Sequence, residues 1–158
     1  MIPALSVIGM GNPGMSDDGV GMRVVEQLAR MRESGAWDGD ADIIAGGADA
    51  TLVAASLAEG RRVHLVDAVD MGEAPGAWRM LTPEEVAPQA VRPSQGSTHA
   101  LPLAEAVELA RSLGCAAGLR ILGIQAGNVN PGDELTPAVH ACLPLVLQRI
   151  REEIEVAS

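Results

Sequence analysis

The sequence contains no lysine, no phenylalanine and no tyrosine. Its eleven basic residues are all arginine, and Trp37 and Trp78 are its only Phe, Tyr or Trp side chains. The missing lysine is read as coding bias and carries no mechanism. The missing aromatics exclude a core of stacked rings and leave Val, Ile, Leu, Met and Ala to fill it. Cationic charge is also scarce: 21 acidic residues against 11 basic give a net charge of −10. That excludes nucleic acid as a partner, because neutralising phosphates needs clustered cations. The two cysteines, Cys115 and Cys142, are isolated and lack CxxC spacing. They predict two buried free thiols in a reducing cytoplasm rather than a disulfide. No apolar run reaches the roughly 18 residues of a membrane span. Residues Met1 to Ser6 lack the basic flank and apolar stretch of a signal peptide. The expectation is a cytoplasmic protein, a monomer, without a membrane segment.

What is present suffices for a folded domain. A chain of 158 residues, 47% of them apolar, predicts one domain over 1–158 that buries roughly two thirds of its unfolded surface. There is no internal repeat and no low-complexity linker.

Strand-like and helix-like segments alternate, the pattern of an α/β layer fold. Leu5 to Ile8 reads as a first buried strand stopped by Gly9. A helix follows from about Asp17 to Met31, with Val20, Val24, Leu28 and Met31 at helical spacing and Ser16 as its cap. Asp42 to Ile44 is a short strand ended by Gly46 and Gly47. Thr51 to Leu57 suits a helix capped by Asp49. Arg62 to Asp67 is the clearest central strand, and Asp67 ends it. Pro75-Gly76 marks a turn, and Ala77 to Leu81 returns from it as a strand. Residues 82–87 open like a capped helical turn with Pro83 at its first position. A polar loop at 92–98 leads to a helix from Leu101 to Leu113, then a last strand from Leu119 to Gln125. Thr136-Pro137 starts a long helix with Val139, Leu143, Val146, Leu147, Ile150 and Ile154 on one face. The sum is a three-layer sandwich, about five mostly parallel strands between helices. In such sheets sites form beyond the carboxyl ends of the strands, near a switch in strand order. Residues just after positions 8, 44, 67 and 125 are therefore the ones to inspect.

Gly9-Met-Gly11-Asn-Pro-Gly14 spells G-x-G-x-x-G between a strand and a helix, the signature of a dinucleotide loop. Asp17 and Asp18 at the helix start would repel the phosphates such a loop holds. The acidic ribose ligand is also missing, since the second strand ends Ile43-Ile44-Ala45. Asn12-Pro-Gly14 has a local similarity to the first loop of peptidyl-tRNA hydrolases. Those enzymes need a basic groove and an early histidine, which this acidic chain lacks.

Three other residues carry more chemistry. Asp18 stands at a helix start that also holds Gly19 and Gly21, each costing about 1 kcal/mol in a helix interior but permitting close backbone approach. Read alone, Asp17 and Asp18 simply favour the positive helix end. Asp67 ends the most apolar strand, where a carboxylate must be capped, paired or coordinated. Read alone, it caps the turn at 68–72. His99 lies in a polar loop before an apolar helix and, read alone, is a surface histidine. Together, two carboxylates and an imidazole are a reasonable set for a borderline metal such as nickel or zinc. They are far apart in sequence, so only the fold can assemble them. His64, within a strand, and His140, on the last helix, read as packing or surface residues.

With these residues in view, the chain resembles the hydrogenase maturation endopeptidases, which process the large subunits of nickel-iron hydrogenases. The resemblance covers nearly the whole chain. It runs through Gly9-x-Gly11-Asn12, Asp17-Asp18-Gly19-Val-Gly21, Gly46-Gly47, Val66-Asp67-Ala68, Ala74-Pro-Gly76, Ser97-Thr-His99, Gly123-Ile124 and Leu135-Thr-Pro137. It implies a mixed, mostly parallel five-stranded sheet between helix layers, the phosphorylase/hydrolase-like arrangement. It also implies that Asp18, Asp67 and His99 bind a metal and act in catalysis. That metal is nickel already inserted in the hydrogenase large-subunit precursor, whose short C-terminal peptide is then removed; other divalent metals could enter the site in vitro. One position departs from the pattern: Ala45 stands where members usually carry an aspartate before the double glycine. Asp49, close by, is a candidate to replace it, and a catalytically inactive module that only binds the loaded precursor is the competing reading. The implied reaction is metal-assisted hydrolysis of one peptide bond. Either the metal polarises the carbonyl or a carboxylate acts as general base on water. No Ser-His-Asp or Cys-His arrangement is evident.

Overall fold

The computed structural model describes residues 3–86 and 100–158. Its strands β1 (Leu5–Met10), β2 (Asp42–Gly47), β3 (Arg62–Val69), β4 (Trp78–Leu81) and β5 (Leu119–Gln125) form one sheet in the order β2-β1-β3-β5-β4. Pairing is parallel throughout except for β4, which lies antiparallel on β5 at one edge. The helices are α1 (Val20–Glu33), α2 (Thr51–Ala58), α3 (Ala100–Ser112) and α4 (Pro137–Ala157).

Side-chain alternation along the strands sorts the core into two layers. Leu5, Val7, Val66, Leu122 and Ile124 meet α1 and α4 on one face. Ile8, Val63, Leu65, Leu119 and Ile121 meet α2 and α3 on the other. Both faces are covered, so β1 and β3 read as continuous apolar runs rather than alternating ones. Each wholly buried Leu or Ile in these layers stabilises the fold by roughly 1.5–3 kcal/mol, and Leu5, Ile8, Leu65, Ile121 and Leu122 are all of this kind.

Some boundaries differ from the sequence expectation. β1 does not stop at Gly9 but continues to Met10. β2 likewise runs on through Gly46 and Gly47, with a bulge between Gly9 and Met10. Asp67 does not end β3, which extends two residues further to Val69. The helix expected from Asp17 opens as a separate 3-10 turn, Ser16–Gly19, before α1 begins at Val20. The turn after β4 carries the reciprocal bonds of a capping box: the Glu85 amide donates to Thr82 Oγ1 at 3.3 Å, and the Thr82 amide to Glu85 Oε1 at 3.3 Å.

The order of strands fixes where a site can form. From β1 the chain passes through α1 to β2 on one side, then returns through α2 to β3 on the other side of β1. The switch in strand order therefore lies between the carboxyl ends of β1 and β3.

Candidate active site

The loop leaving β1 is fitted to its surroundings by glycines. A Cβ on Gly21 would overlap the carbonyl oxygens of Val66 and Met10, and one on Gly9 would overlap the Gly21 carbonyl. The start of α1 thus rests directly on the backbones of β1 and β3. Gly11, at φ 121°, presses on the Asp18 carbonyl; a Cβ there would also lie 3.6 Å from Asp67 Oδ1. Only glycine tolerates that conformation cheaply. The loop amides are already engaged. Gly11 N–H donates to the Gly47 carbonyl at 2.8 Å, Asn12 N–H to Asp18 Oδ2 at 3.0 Å, Gly14 N–H to Asn12 Oδ1 at 2.9 Å and Met15 N–H to the Asn12 carbonyl at 3.0 Å. Donors that a pyrophosphate would require are bonded inside the protein, so the G-x-G-x-x-G match is not a nucleotide cradle.

Asp18 and Asp67 meet at this switch point, both inside the protein: their exposures are 0% and 1%. Asp67 Oδ1 accepts the Ala68 amide at 2.8 Å, the adjacent residue rather than a turn at 68–72. That turn is served by Asp70, whose Oδ1 accepts the Gly72 amide at 3.1 Å. Burial first, and the charge of Asp18 second, hold the Asp67 carboxyl well above the usual carboxylate range, against the opposing Ala68 amide. Two buried acids within electrostatic reach of each other are a costly arrangement. A divalent cation or a shared proton relieves it.

Asp17 has a different task from its neighbour. It is also fully buried, and its carboxylate gathers a distant segment. Oδ2 accepts the Gly127 amide at 2.8 Å, the Asn128 amide at 3.0 Å and the Thr136 hydroxyl at 2.8 Å, while Oδ1 accepts the Thr136 amide at 2.8 Å. Burial, the largest influence, pushes its pKa up, but these donors outweigh it and bring the carboxyl below its usual value. Ser16 is not a helix cap. At φ 53° it turns its hydroxyl onto the Asn130 carbonyl at 2.9 Å and its amide onto Gly132 O at 2.9 Å. Gln125 ties the loop after β3: its Oε1 accepts the Met71 amide at 2.6 Å and the Glu73 amide at 3.3 Å.

The family model described as HycI, hydrogenase maturation protease, matches residues 22–153. This chain belongs to the hydrogenase maturation protease family. It is 31% identical over 135 residues to the hydrogenase expression/formation protein HupD of Bradyrhizobium diazoefficiens, covering 84% of this chain and 68% of that one. It is 28% identical over 146 residues to the hydrogenase 2 maturation protease of Escherichia coli, covering 91% and 86%. The crystal structure of a hydrogenase 3 maturation protease superposes with a TM-score of 0.73 at 27% identity, covering 95% of this chain and 90% of that one. Membership makes this protein a peptidase of hydrogenase maturation and does not favour the inactive binding module.

Within this maturation protease, Asp18 and Asp67 are brought together, while His99 lies outside the described residues. Among the described residues no group of three or more His, Cys, Asp or Glu side chains is placed to hold a metal. His64 is buried on the α1 and α4 side of β3, where burial pushes its pKa down, and His140 is exposed on α4. Both are apart from the pair. Cys115 and Cys142 are free, but only Cys142 is buried, a correction to the expected two buried thiols. Ala45 is exposed at the end of β2, beside the buried Gly46. Asp49, weighed as its replacement, is occupied: it accepts the Thr51 amide at 3.0 Å and also the Thr51 hydroxyl, which caps α2 one residue before its nominal cap. The residues that reading the sequence missed are Asp17 as a tie, Gln125 and Thr136. Their only sequence signals were a polar side chain at a strand end (Gln125), an acid next to a second acid (Asp17) and a threonine before the first proline of a helix (Thr136).

Proposed function

We propose that this peptidase removes a C-terminal peptide from the large-subunit precursor of a nickel-iron hydrogenase, recognising nickel already present in the precursor. The observation that carries the reading is the pair of buried carboxylates, Asp18 and Asp67, at the switch point between β1 and β3. Carboxylates with an imidazole suit a borderline divalent metal, and His99 supplies the imidazole in this proposal. An incoming cation lowers the cost of ionising Asp67 beside Asp18. A site of three ligands leaves coordination positions for a metal still held by its own protein. Nickel is thus part of the substrate, and the enzyme need not carry a resident ion. In the hydrolysis the oxygen of water bonds to the scissile carbonyl carbon, the C–N bond breaks, and a site carboxylate passes the water proton to the leaving amine.

No helix among the described residues is long and apolar enough to cross a membrane. A cytoplasmic location and a monomeric enzyme are part of the proposal. The test is cleavage of nickel-loaded and nickel-free precursor by the same metal-stripped enzyme, followed by mass spectrometry. Cutting confined to loaded precursor is the expected result. Equal cutting of both would overturn substrate-borne recognition and leave a peptidase with its own tightly held ion.

A further inference from the structure

Asp17 and Asp18 are neighbours in one 3-10 turn, yet the fold uses them in opposite directions. Asp18 turns to the first loop and the neighbourhood of Asp67. Asp17 instead binds residues more than a hundred positions later: Gly127, Asn128 and Thr136. The tie is double, because the Asp17 amide also donates to the Asn128 carbonyl at 2.9 Å. Residue 17 is therefore fixed by both its backbone and its side chain. Thr136, the residue before α4, gives Asp17 both its amide and its hydroxyl and makes no cap bond of its own. Around the tie, Ser16 bonds Gly132 and Asn130, and Gly132 N–H donates to the Gly14 carbonyl at 2.9 Å. The segment 14–17 is laced to 127–136 by these bonds.

We propose that Asp17 is a positioning residue for the peptidase reaction: by anchoring its turn to the start of α4 it aims the Asp18 carboxylate at the site. The proposal rests on the reading of Asp18 as an acting residue. The turn is short and has no side-chain cap of its own, so its orientation comes from these long-range bonds. An asparagine at position 17 cannot reproduce them. Whichever way its amide is flipped, one NH2 faces a donor, since both carboxylate oxygens accept. Thr136→Val removes one donor while keeping a β-branched shape, and Thr136→Ser keeps the hydroxyl.

The experiment measures kcat and KM of precursor processing for Asp17→Asn, Thr136→Val, Thr136→Ser and Asp18→Asn, well below each variant's unfolding temperature. Amide exchange by NMR accompanies the kinetics. A small misplacement of an acting group costs on the order of 10- to 100-fold in rate. Asp17→Asn should therefore lose kcat on that scale with KM within about twofold. Thr136→Val should show a smaller loss in the same sense, and Thr136→Ser should process like wild type. The Asn12 amide, which donates to Asp18 Oδ2, should exchange at least about tenfold faster in Asp17→Asn. A purely structural tie would speed exchange at Gly127, Asn128 and Thr136 and leave Asn12 protected. If Asp17→Asn does not fold, Thr136→Val against Thr136→Ser decides through the same two readouts. Unchanged kcat and unchanged Asn12 protection, with Asp18→Asn inactive, would overturn the positioning role alone. An active Asp18→Asn would instead overturn the site reading beneath it.

Discussion

Asp67→Asn should make this enzyme more stable at neutral pH while removing its activity. The side chain is 1% exposed, and burial together with Asp18 raises its pKa well above the ordinary value of 3.8. The folded state therefore holds the proton more tightly than the unfolded chain. Stability from this group is greatest below 3.8 and falls as pH rises towards the folded pKa. The limiting slope for one proton is about 1.4 kcal/mol per pH unit. Asp17 acts in the opposite sense and in a different window. Its lowered pKa contributes stability above 3.8 that is lost as pH falls through the folded value. His64, whose lowered pKa makes stability rise with pH below 6.5, also titrates in the upper window but is common to both proteins, so the difference between them isolates Asp67. Asparagine has the same shape, keeps an oxygen for the Ala68 amide, and removes the charge. Urea unfolding followed by far-UV circular dichroism, from about pH 4.5 to 8, should show the two proteins similar at the acid end. The variant should gain with pH, and each 1 kcal/mol should raise the melting temperature by roughly 2–4 °C. Such a gain at the expense of function is the usual trade at a strained site. A difference independent of pH, or a variant that loses ground as pH rises, would refute the reasoning.

Gly21→Ala should cost about 3 kcal/mol or prevent folding, because α1 must lift off both β1 and β3; a urea midpoint shift worth less than about 1 kcal/mol would refute the close approach. Asp18→Ala and His99→Ala should each abolish precursor processing while retaining the wild-type circular dichroism spectrum, and near-normal cleavage by both would remove the site assignment. Asp49→Ala should lose about 1 kcal/mol of stability as a lost cap yet keep its kcat, since its carboxylate serves α2; a collapse of kcat would return Asp49 to the site. NAD or ATP at about millimolar concentration should leave the melting temperature unmoved, and a saturating upward shift with either would reinstate the nucleotide loop.

Much of the fold was legible because its signals are local. β5 and the start of α4 fall where apolar run length and Thr136-Pro137 put them. The buried faces follow from periods of two and 3.6. The errors cluster where one element leans on another. Gly9 looked like a strand breaker, but it is a strand residue whose missing side chain admits the Gly21 carbonyl. Gly46 and Gly47 looked like an end to β2, but the bulge opposite Gly9 and Met10 absorbs the extra residue and carries β2 to Gly47, whose carbonyl accepts the Gly11 amide.

The acidic pair shows the same limit more sharply. From sequence, Asp17 and Asp18 were equivalent charges at a helix start, each stabilised by tenths of a kcal/mol through the helix dipole. The fold separates them by the direction each side chain takes from one tight turn. A carboxylate accepting three amides and a hydroxyl is held far more strongly than a dipole contact, since hydrogen bonds to charged groups contribute roughly 1.5–3 kcal/mol apiece. Those partners lie 110 to 119 residues away in sequence, beyond any periodicity or spacing rule. The dipole argument marks both residues alike; the family resemblance singled out Asp18, but no signal in the sequence assigned Asp17 its bonds to the start of α4. What Asp17 does appears only once β5 and α4 are brought beside the first loop.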